Sequence, residues 1–156
     1  YMDTGRTRTK PFLPSCNMFC DRELFFQSGG FPEIRASEDV LFFLKANQAS
    51  DVWFIPEAKV YHIFREGLLS FLRNQKLLGE YVIAYRKIHW PGKFYYKGFW
   101  PVFFLPAFMA IKLWRLSLRI LTSRPSLALR YVLVFPGVAL GLLSWGVGFI
   151  HGSMRS

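Results

Sequence analysis

Carboxylates are missing from nearly half of this sequence. Glu80 is the last of them, and residues 99–156 carry six Lys or Arg and no Asp or Glu. A basic, apolar tail without acids suits the anionic surface of a cytoplasmic membrane leaflet. The charge would also suit nucleic acid, but modules that bind nucleic acid seldom contain long uncharged, mostly apolar runs such as residues 131–150. We therefore expect membrane lipids as a partner and no nucleic acid.

Cysteine is scarce as well, with only Cys16 and Cys20. On a strand, two residues at this spacing lie about 13 Å apart, too far for a disulfide, and a zinc site needs more ligands. We interpret both as buried small residues in a reducing compartment.

Residues 1–10 lack the apolar segment of a signal peptide and do not resemble a natural start, so we expect a fragment.

Local signals predict a mixed chain up to about residue 89. The apolar runs 15–20, 52–55 and 59–63 predict short strands. Helices are predicted from Asp21 to about residue 27, ended by Gly29 and Gly30, and from Ser37, as N-cap, to about residue 47. Apolar residues at helical spacing predict a longer amphipathic helix over 68–87.

Two apolar stretches follow. Residues 131–150 are uncharged and long enough to cross a bilayer core, and their small-residue spacings (Gly137 with Gly141, Gly148 with Gly152) suit close approach by another helix. Residues 99–121 carry Lys112, Arg115 and Arg119 near one helical face, which favours a helix in the membrane interface; a two-helix hairpin with its loop outside is the alternative.

Four polar features occur in a fixed order before this tail. They are a glycine loop (Gly29-Gly30-Phe31), an acid pair at a predicted helix start (Glu38-Asp39), a predicted strand ending in His62, and polar residues in the amphipathic helix (Arg73 to Lys76). Over about residues 13–86 this order resembles the second half of the family 2 glycosyltransferases. The resemblance implies an α/β fold: the C-terminal, acceptor-side part of a GT-A domain, followed by hydrophobic membrane-associated helices.

The resemblance also implies roles for individual residues. Asp39 would be the catalytic base, and Glu38 would orient the acceptor or hold the base. Gly29 and Gly30 would line the donor pocket, His62 would bind a divalent metal (Mg or Mn) or the leaving diphosphate, and Arg73 and Gln75 would contact diphosphate or acceptor. A carboxylate suits the base, because an acceptor hydroxyl becomes acidic only as it attacks.

Each residue also has a structural explanation. Acids are favourable at helix starts and glycines at helix ends. A histidine at a strand end is often only hydrogen-bonded, and Arg73 and Lys76 suit a solvated surface.

Two features depart from the family pattern. The metal-binding Asp-x-Asp is absent, and its ligands are expected upstream of Tyr1; Leu41 stands where relatives often have a further acid.

We therefore expect the end of a GT-A catalytic domain (1–89), a basic aromatic connector (90–98), an interfacial or transmembrane helix (99–121) and a transmembrane helix (131–150). The expected function is that of a membrane-attached inverting glycosyltransferase with its catalytic part on the cytoplasmic side. Its partners would be a nucleotide-sugar donor and a lipid-linked or glycan acceptor. The alternatives are a non-catalytic membrane scaffold or partner subunit and a basic lipid-binding module.

Overall fold

The chain forms two compact units, Tyr1–Phe64 and Arg65–Ser156. The computed structural model describes residues 8–9, 15–61, 63, 66–96 and 98–155. Each unit has its own cluster of buried apolar side chains. Helices hold 70% of the described residues, so the chain is mostly helical.

In its described residues, the first unit contains two short α-helices and one pair of two-residue strands. Helix α1 spans Arg22–Gln27 and helix α2 spans Glu38–Ala46, and a 3₁₀ turn at Ser15–Asn17 precedes them. Strand β1 (Arg8–Thr9) pairs antiparallel with strand β2 (Trp53–Phe54). Both strands are too short to form a layer of the domain.

Helix α1 begins after the predicted cap, Asp21, and ends before the predicted glycines. The Asp21 carboxylate Oδ1 accepts hydrogen bonds from the backbone N–H groups of Glu23 (2.8 Å) and Leu24 (3.0 Å), which satisfies two donors that the helix itself leaves free. After the helix, Gly29 and Gly30 adopt φ values of 78° and 61°, in the left-handed region that favours glycine.

The predicted α/β fold is wrong for the residues that the structure describes. The predicted strand at 15–20 begins as a 3₁₀ turn, and residues 59–61 and 63 of the last predicted strand pair with no described segment. Of the three predicted strands, only 52–55 contains a strand in the structure, β2. A strand is stable only where a neighbouring segment satisfies its backbone groups. Within the described ranges only β1 and β2 do so, which leaves no parallel sheet of the GT-A kind.

The described part of the second unit contains four α-helices. Helix α3 spans Leu68–His89, α4 Trp100–Phe103, α5 Leu105–Ser123 and α6 Ala128–Arg155. Helix α3 confirms the predicted amphipathic helix. Although the sequence placed it with the N-terminal portion, α3 packs chiefly against α6. The boundary expected at residue 89 stays a prediction.

Helices α3 and α6 touch at backbone distance through a contact that we call the glycine seam (Gly79 of α3; Gly141, Gly148 and Gly152 of α6). A side chain at Gly148 would overlap the carbonyl oxygen of Lys76, and one at Gly152 would overlap that of Glu80. The contact thus advances along both helices in the same direction, so the helices run parallel. The predicted close approach is confirmed for Gly148 and Gly152, which meet the backbone of α3, and for Gly141, which meets the Phe71 side chain, whereas Gly137 faces open space.

Helix α5 lies antiparallel to α6. Near the connection between them, the hydroxyl oxygens of Ser117 and Tyr131 are 2.7 Å apart; farther away, Phe108 packs on Phe149 with ring centroids 5.6 Å apart. The core of this unit contains five buried residues, with α3, α5, α6 and the turn at 94–96 all contributing: Ile83, Tyr96, Leu105, Trp145 and Phe149. The chain therefore buries aromatic side chains where three helices meet.

One helix of the described chain is long and apolar enough to cross a membrane. It covers Pro125–Arg155, including the preceding 3₁₀ turn, and only 28% of its most apolar stretch is buried. Leu129, Leu133 and Leu143 are among its exposed apolar residues. A helix of a soluble core would be mostly covered, so this exposure, although weak on its own, favours membrane association.

Candidate functional site

The acid pair lies where the sequence placed it, at the start of α2. Asp39 is half-buried, and its carboxylate oxygens accept hydrogen bonds from two backbone N–H groups: Val40 at 2.8 Å and Ser15 at 3.3 Å. Negative charge is favourable in the first turn of a helix. The two bonds fix the orientation of the carboxylate, and its remaining lone pairs can still accept a proton.

The residue before the pair has an unusual backbone conformation. Ser37 has φ 69° and ψ 15°, the left-handed region, which costs a residue with a Cβ about 1–2 kcal/mol. Ser37 occupies the predicted N-cap position, but its side chain makes no capping hydrogen bond. Strain of this kind is found in many functional sites, where the surrounding packing maintains it.

The glycine loop packs against the same helix. Phe25 and Phe31 from either side of the loop contact Phe42 of α2, with ring centroids 5.2 and 5.3 Å apart. A Cβ on Gly30 would come within 3.2 Å of the Phe25 ring, and one on Gly29 would lie 3.6 Å from the Lys45 ammonium nitrogen. The aromatic cluster therefore joins the glycine loop and α2 into one packed body.

The glycine loop nevertheless lies away from the acid pair: Gly30 packs on Phe25 of α1, and Gly29 lies beside Lys45 of α2. Lys45 lies in its last turn and Asp39 in its first, six residues and about 9 Å apart along the axis. The contacts described for Gly29 and Gly30 are therefore made away from the carboxylates. Their role on the donor side stays a prediction.

The 3₁₀ turn Ser15–Asn17 links the acid pair to the segment before the predicted histidine. The backbone N–H of Ser15 donates a hydrogen bond to the Asp39 carboxylate, and Asn17 Nδ2 donates one to the carbonyl oxygen of Ala58 at 2.7 Å. His62 itself lies outside the described residues. The segment that leads to it is thus held to the same turn as Asp39.

Metal-binding residues do not cluster in the described ranges. No group of three or more His, Cys, Asp or Glu side chains comes together there. These residues therefore do not fit a metal centre on their own, and the role predicted for His62 stays a prediction.

The two cysteines differ in their surroundings. Cys16 is exposed, contrary to the expectation that it is buried. Cys20 packs against the α2 cluster, where burial raises its pKa.

The remaining predicted residues belong to the second unit. Arg73 is exposed on α3, a position that also fits the solvated surface. Gln75 is partly buried, and its Cγ lies 3.5 Å from where a Cβ on Gly141 would be, so its aliphatic part packs in the glycine seam. That packing gives Gln75 a structural role, whereas contact of either residue with diphosphate stays a prediction.

Sequence reasoning did not bring together two cations, which we call the basic pair (Arg86 of α3 and Lys112 of α5). The Arg86 guanidinium carbon lies 5.0 Å from the ring centroid of Phe108, and the Lys112 ammonium lies 4.2 Å from that of Trp145. Burial, and secondarily the charge of Arg86, lowers the pKa of Lys112 to about 8. The basic stripe on α5 pointed to Lys112, but it gave no indication of Arg86.

Comparison with protein-family models, curated proteins and solved structures gave no match to this chain.

Proposed function

We propose that the protein containing this chain is a membrane-attached inverting glycosyltransferase, in which Asp39 is the general base. The observation that carries the proposal is the half-buried carboxylate of Asp39, held in orientation beside the strained Ser37. The ordered motifs that resemble family 2 enzymes support it further. It concerns these residues and does not require an α/β fold within this chain.

In the proposed reaction, Asp39 takes a proton from an acceptor hydroxyl as its oxygen attacks the anomeric carbon of a nucleotide sugar. The bond from that carbon to the diphosphate breaks, nucleoside diphosphate leaves, and the configuration inverts. Positioned carboxylates typically contribute 10²- to 10⁴-fold in such a step. Glu38, the first residue of α2, would position the acceptor.

The apolar tail suggests the class of acceptor. A candidate spanning helix would hold the catalytic part at the bilayer, where a lipid-linked acceptor is concentrated. The end of α5 carries three exposed cations: Arg115, Arg119 and Arg124. Basic segments next to membrane helices tend to stay on the cytoplasmic side of the membrane, which supports a cytoplasmic catalytic part.

The test uses membranes that contain the whole protein with Asp39→Asn. Transfer from a panel of radiolabelled nucleotide sugars to endogenous lipid should fall by about 100-fold or more. Asparagine keeps an oxygen that can accept the hydrogen bond from Ser15, so the protein should accumulate normally. Asp51→Asn, an exposed acid of the same unit, is the matched control and should retain full transfer. Near-normal turnover in Asp39→Asn would remove Asp39 as the base.

A specific observation favours a second candidate, a non-catalytic membrane scaffold or basic lipid-binding module. The bonds from Val40 and Ser15 give the Asp39 carboxylate a structural role that needs no substrate. Under this alternative, association with anionic vesicles would weaken with salt, survive Asp39→Asn and disappear when α5 and α6 are deleted. Absence of transfer from every donor, together with this binding pattern, would favour the module over the enzyme.

A further inference from the structure

We propose that the basic pair, Arg86 and Lys112, binds a phosphate group. The site lies within the second unit, beside the aromatic core formed by α3, α5 and α6. It does not depend on the transferase proposal, because neither residue belongs to the constellation around Asp39. The ligand chemistry is a phosphate oxyanion, either free or in a lipid headgroup.

Arg86 carries a buried hydrogen-bond donor without an acceptor. Nη1 of Arg86 is shielded from solvent and has no hydrogen-bond partner among the described residues. The guanidinium is stacked over Tyr96 (5.4 Å) and Phe108 (5.0 Å), which orients it without using its N–H groups. A buried N–H without an acceptor is costly when its group is charged. An oxyanion would supply the missing acceptor.

The basic pair also carries positive charge that no carboxylate of this unit balances. Arg86 lies over the rings of Tyr96 and Phe108, and Lys112, one turn after Phe108 in α5, lies over the ring of Trp145. Two like charges therefore share a partly buried site on the same aromatic core, and the charge of Arg86 contributes to the lowered pKa of Lys112. From residue 65 onward the sequence contains only two carboxylates, Glu66 and Glu80. Neither is placed to neutralise the pair.

Glu80 is engaged elsewhere. Its Oε1 accepts a hydrogen bond from Arg155 Nη1 at 2.8 Å and lies 3.4 Å from His151 Nδ1, both on α6. Arg86 follows it by six residues, which places the two about 9 Å apart along α3 and about 120° apart around its axis. Glu66 precedes α3, nearly its whole length from Arg86. Neither carboxylate of this unit therefore neutralises the pair, and a bound oxyanion would supply a full negative charge.

The two cations have the chemistry that phosphate recognition needs. A planar guanidinium can donate two parallel hydrogen bonds to an oxyanion, and an ammonium adds a compact charge that can approach from another side. The two come from different helices and so can flank a tetrahedral group. Phosphate carries the oxygens and the charge that such a pair can neutralise.

The experiment uses the full chain in a detergent that contains no phosphorus. Inorganic phosphate is titrated in one arm and short-chain phosphatidic acid in the other, and binding is measured by calorimetry and by the rise in the unfolding temperature. Arg86→Gln and Lys112→Gln should each weaken binding about tenfold or more, because each removes a charge-assisted contact. The controls Lys76→Gln on α3 and Arg119→Gln on α5 each remove an exposed cation from the same helices and should change affinity less than twofold.

The two arms distinguish the sources of phosphate. Equal affinity for both ligands assigns the site to free phosphate, and much tighter binding of phosphatidic acid assigns it to a lipid headgroup. Equal weakening in all four variants would mean diffuse attraction to a basic surface and would overturn the proposal, as would the absence of saturable binding in both arms. If Arg86→Gln does not fold, Arg86→Lys keeps the charge but loses the guanidinium fork; unchanged affinity in that variant would also overturn the proposal.

Discussion

Replacing Gly148 with alanine tests the glycine seam directly. A Cβ at this position would overlap the carbonyl oxygen of Lys76 and stand 2.8 Å from its carbonyl carbon, closer than real Cβ contacts come. Ordinary contact between carbon atoms is about 3.5–4.0 Å, so α3 and α6 would have to separate by about 1 Å. The oxygen belongs to the backbone of a helix and cannot rotate away.

The magnitude follows from two opposing effects. Overpacking a close contact costs about 1–3 kcal/mol, and separating the helices also strains the hydrogen bond from Ser144 Oγ to the Leu72 carbonyl oxygen (2.7 Å). Alanine favours a helix interior over glycine by about 1 kcal/mol. We expect Gly148→Ala to lower the free energy of unfolding by up to about 2 kcal/mol, the overpacking cost less the propensity gain.

Gly137 provides a matched control in the same helix. A Cβ there meets nothing within 4 Å, so Gly137→Ala should raise the free energy of unfolding by up to about 1 kcal/mol through helix propensity alone. Both variants would be unfolded by heat in detergent micelles and followed by far-UV circular dichroism. If Gly148→Ala is as stable as Gly137→Ala, α3 and α6 do not meet at backbone distance.

Three further predictions concern single residues. Asp21→Ala should lower the free energy of unfolding by about 1 kcal/mol through loss of the α1 cap, measured as a lower urea midpoint, with Asp21→Ser recovering most of it. Gly30→Ala should cost about 1–2 kcal/mol, because φ 61° is left-handed and its Cβ would press on Phe25; an unchanged urea midpoint would contradict that conformation. Lys112 has a pKa of about 8 in the folded chain and an ordinary pKa of 10.5. Between these pH values the unfolded chain therefore binds more protons than the folded chain. The free energy of unfolding should then rise with pH across this window. Urea midpoints at several pH values would show the rise, and Lys112→Met should flatten it.

The helices were predictable from local sequence because their end signals are local. Asp21 bonds to N–H groups two and three residues ahead, and the glycines that follow α1 adopt the conformation that ends it. The strands were not predictable in the same way, because a strand depends on a distant partner. Residues 59–61 have β-compatible side chains, but no described segment pairs with them.

The candidate site shows the same difference. Asp39 was correctly placed at a helix start because its position depends on α2 alone, whereas its bond to Ser15 joins residues 24 apart. The basic pair brings together helices α3 and α5, and no periodicity within either helix encodes that meeting. The left-handed backbone of Ser37 was also missed, because serine normally caps a helix in an extended conformation.

The parallel packing of α3 and α6 has an electrostatic consequence. Peptide dipoles add along a helix and leave about half a negative charge at its C-terminus, so parallel neighbours direct both negative ends the same way. Basic residues occupy the last turn of each helix: Arg86, Lys87 and His89 in α3, and Arg155 in α6. A cation there typically contributes about 0.3–1 kcal/mol. Part of the positive charge at this end therefore offsets the helix dipoles, and the field that an approaching anion meets is weaker than the count of basic side chains suggests.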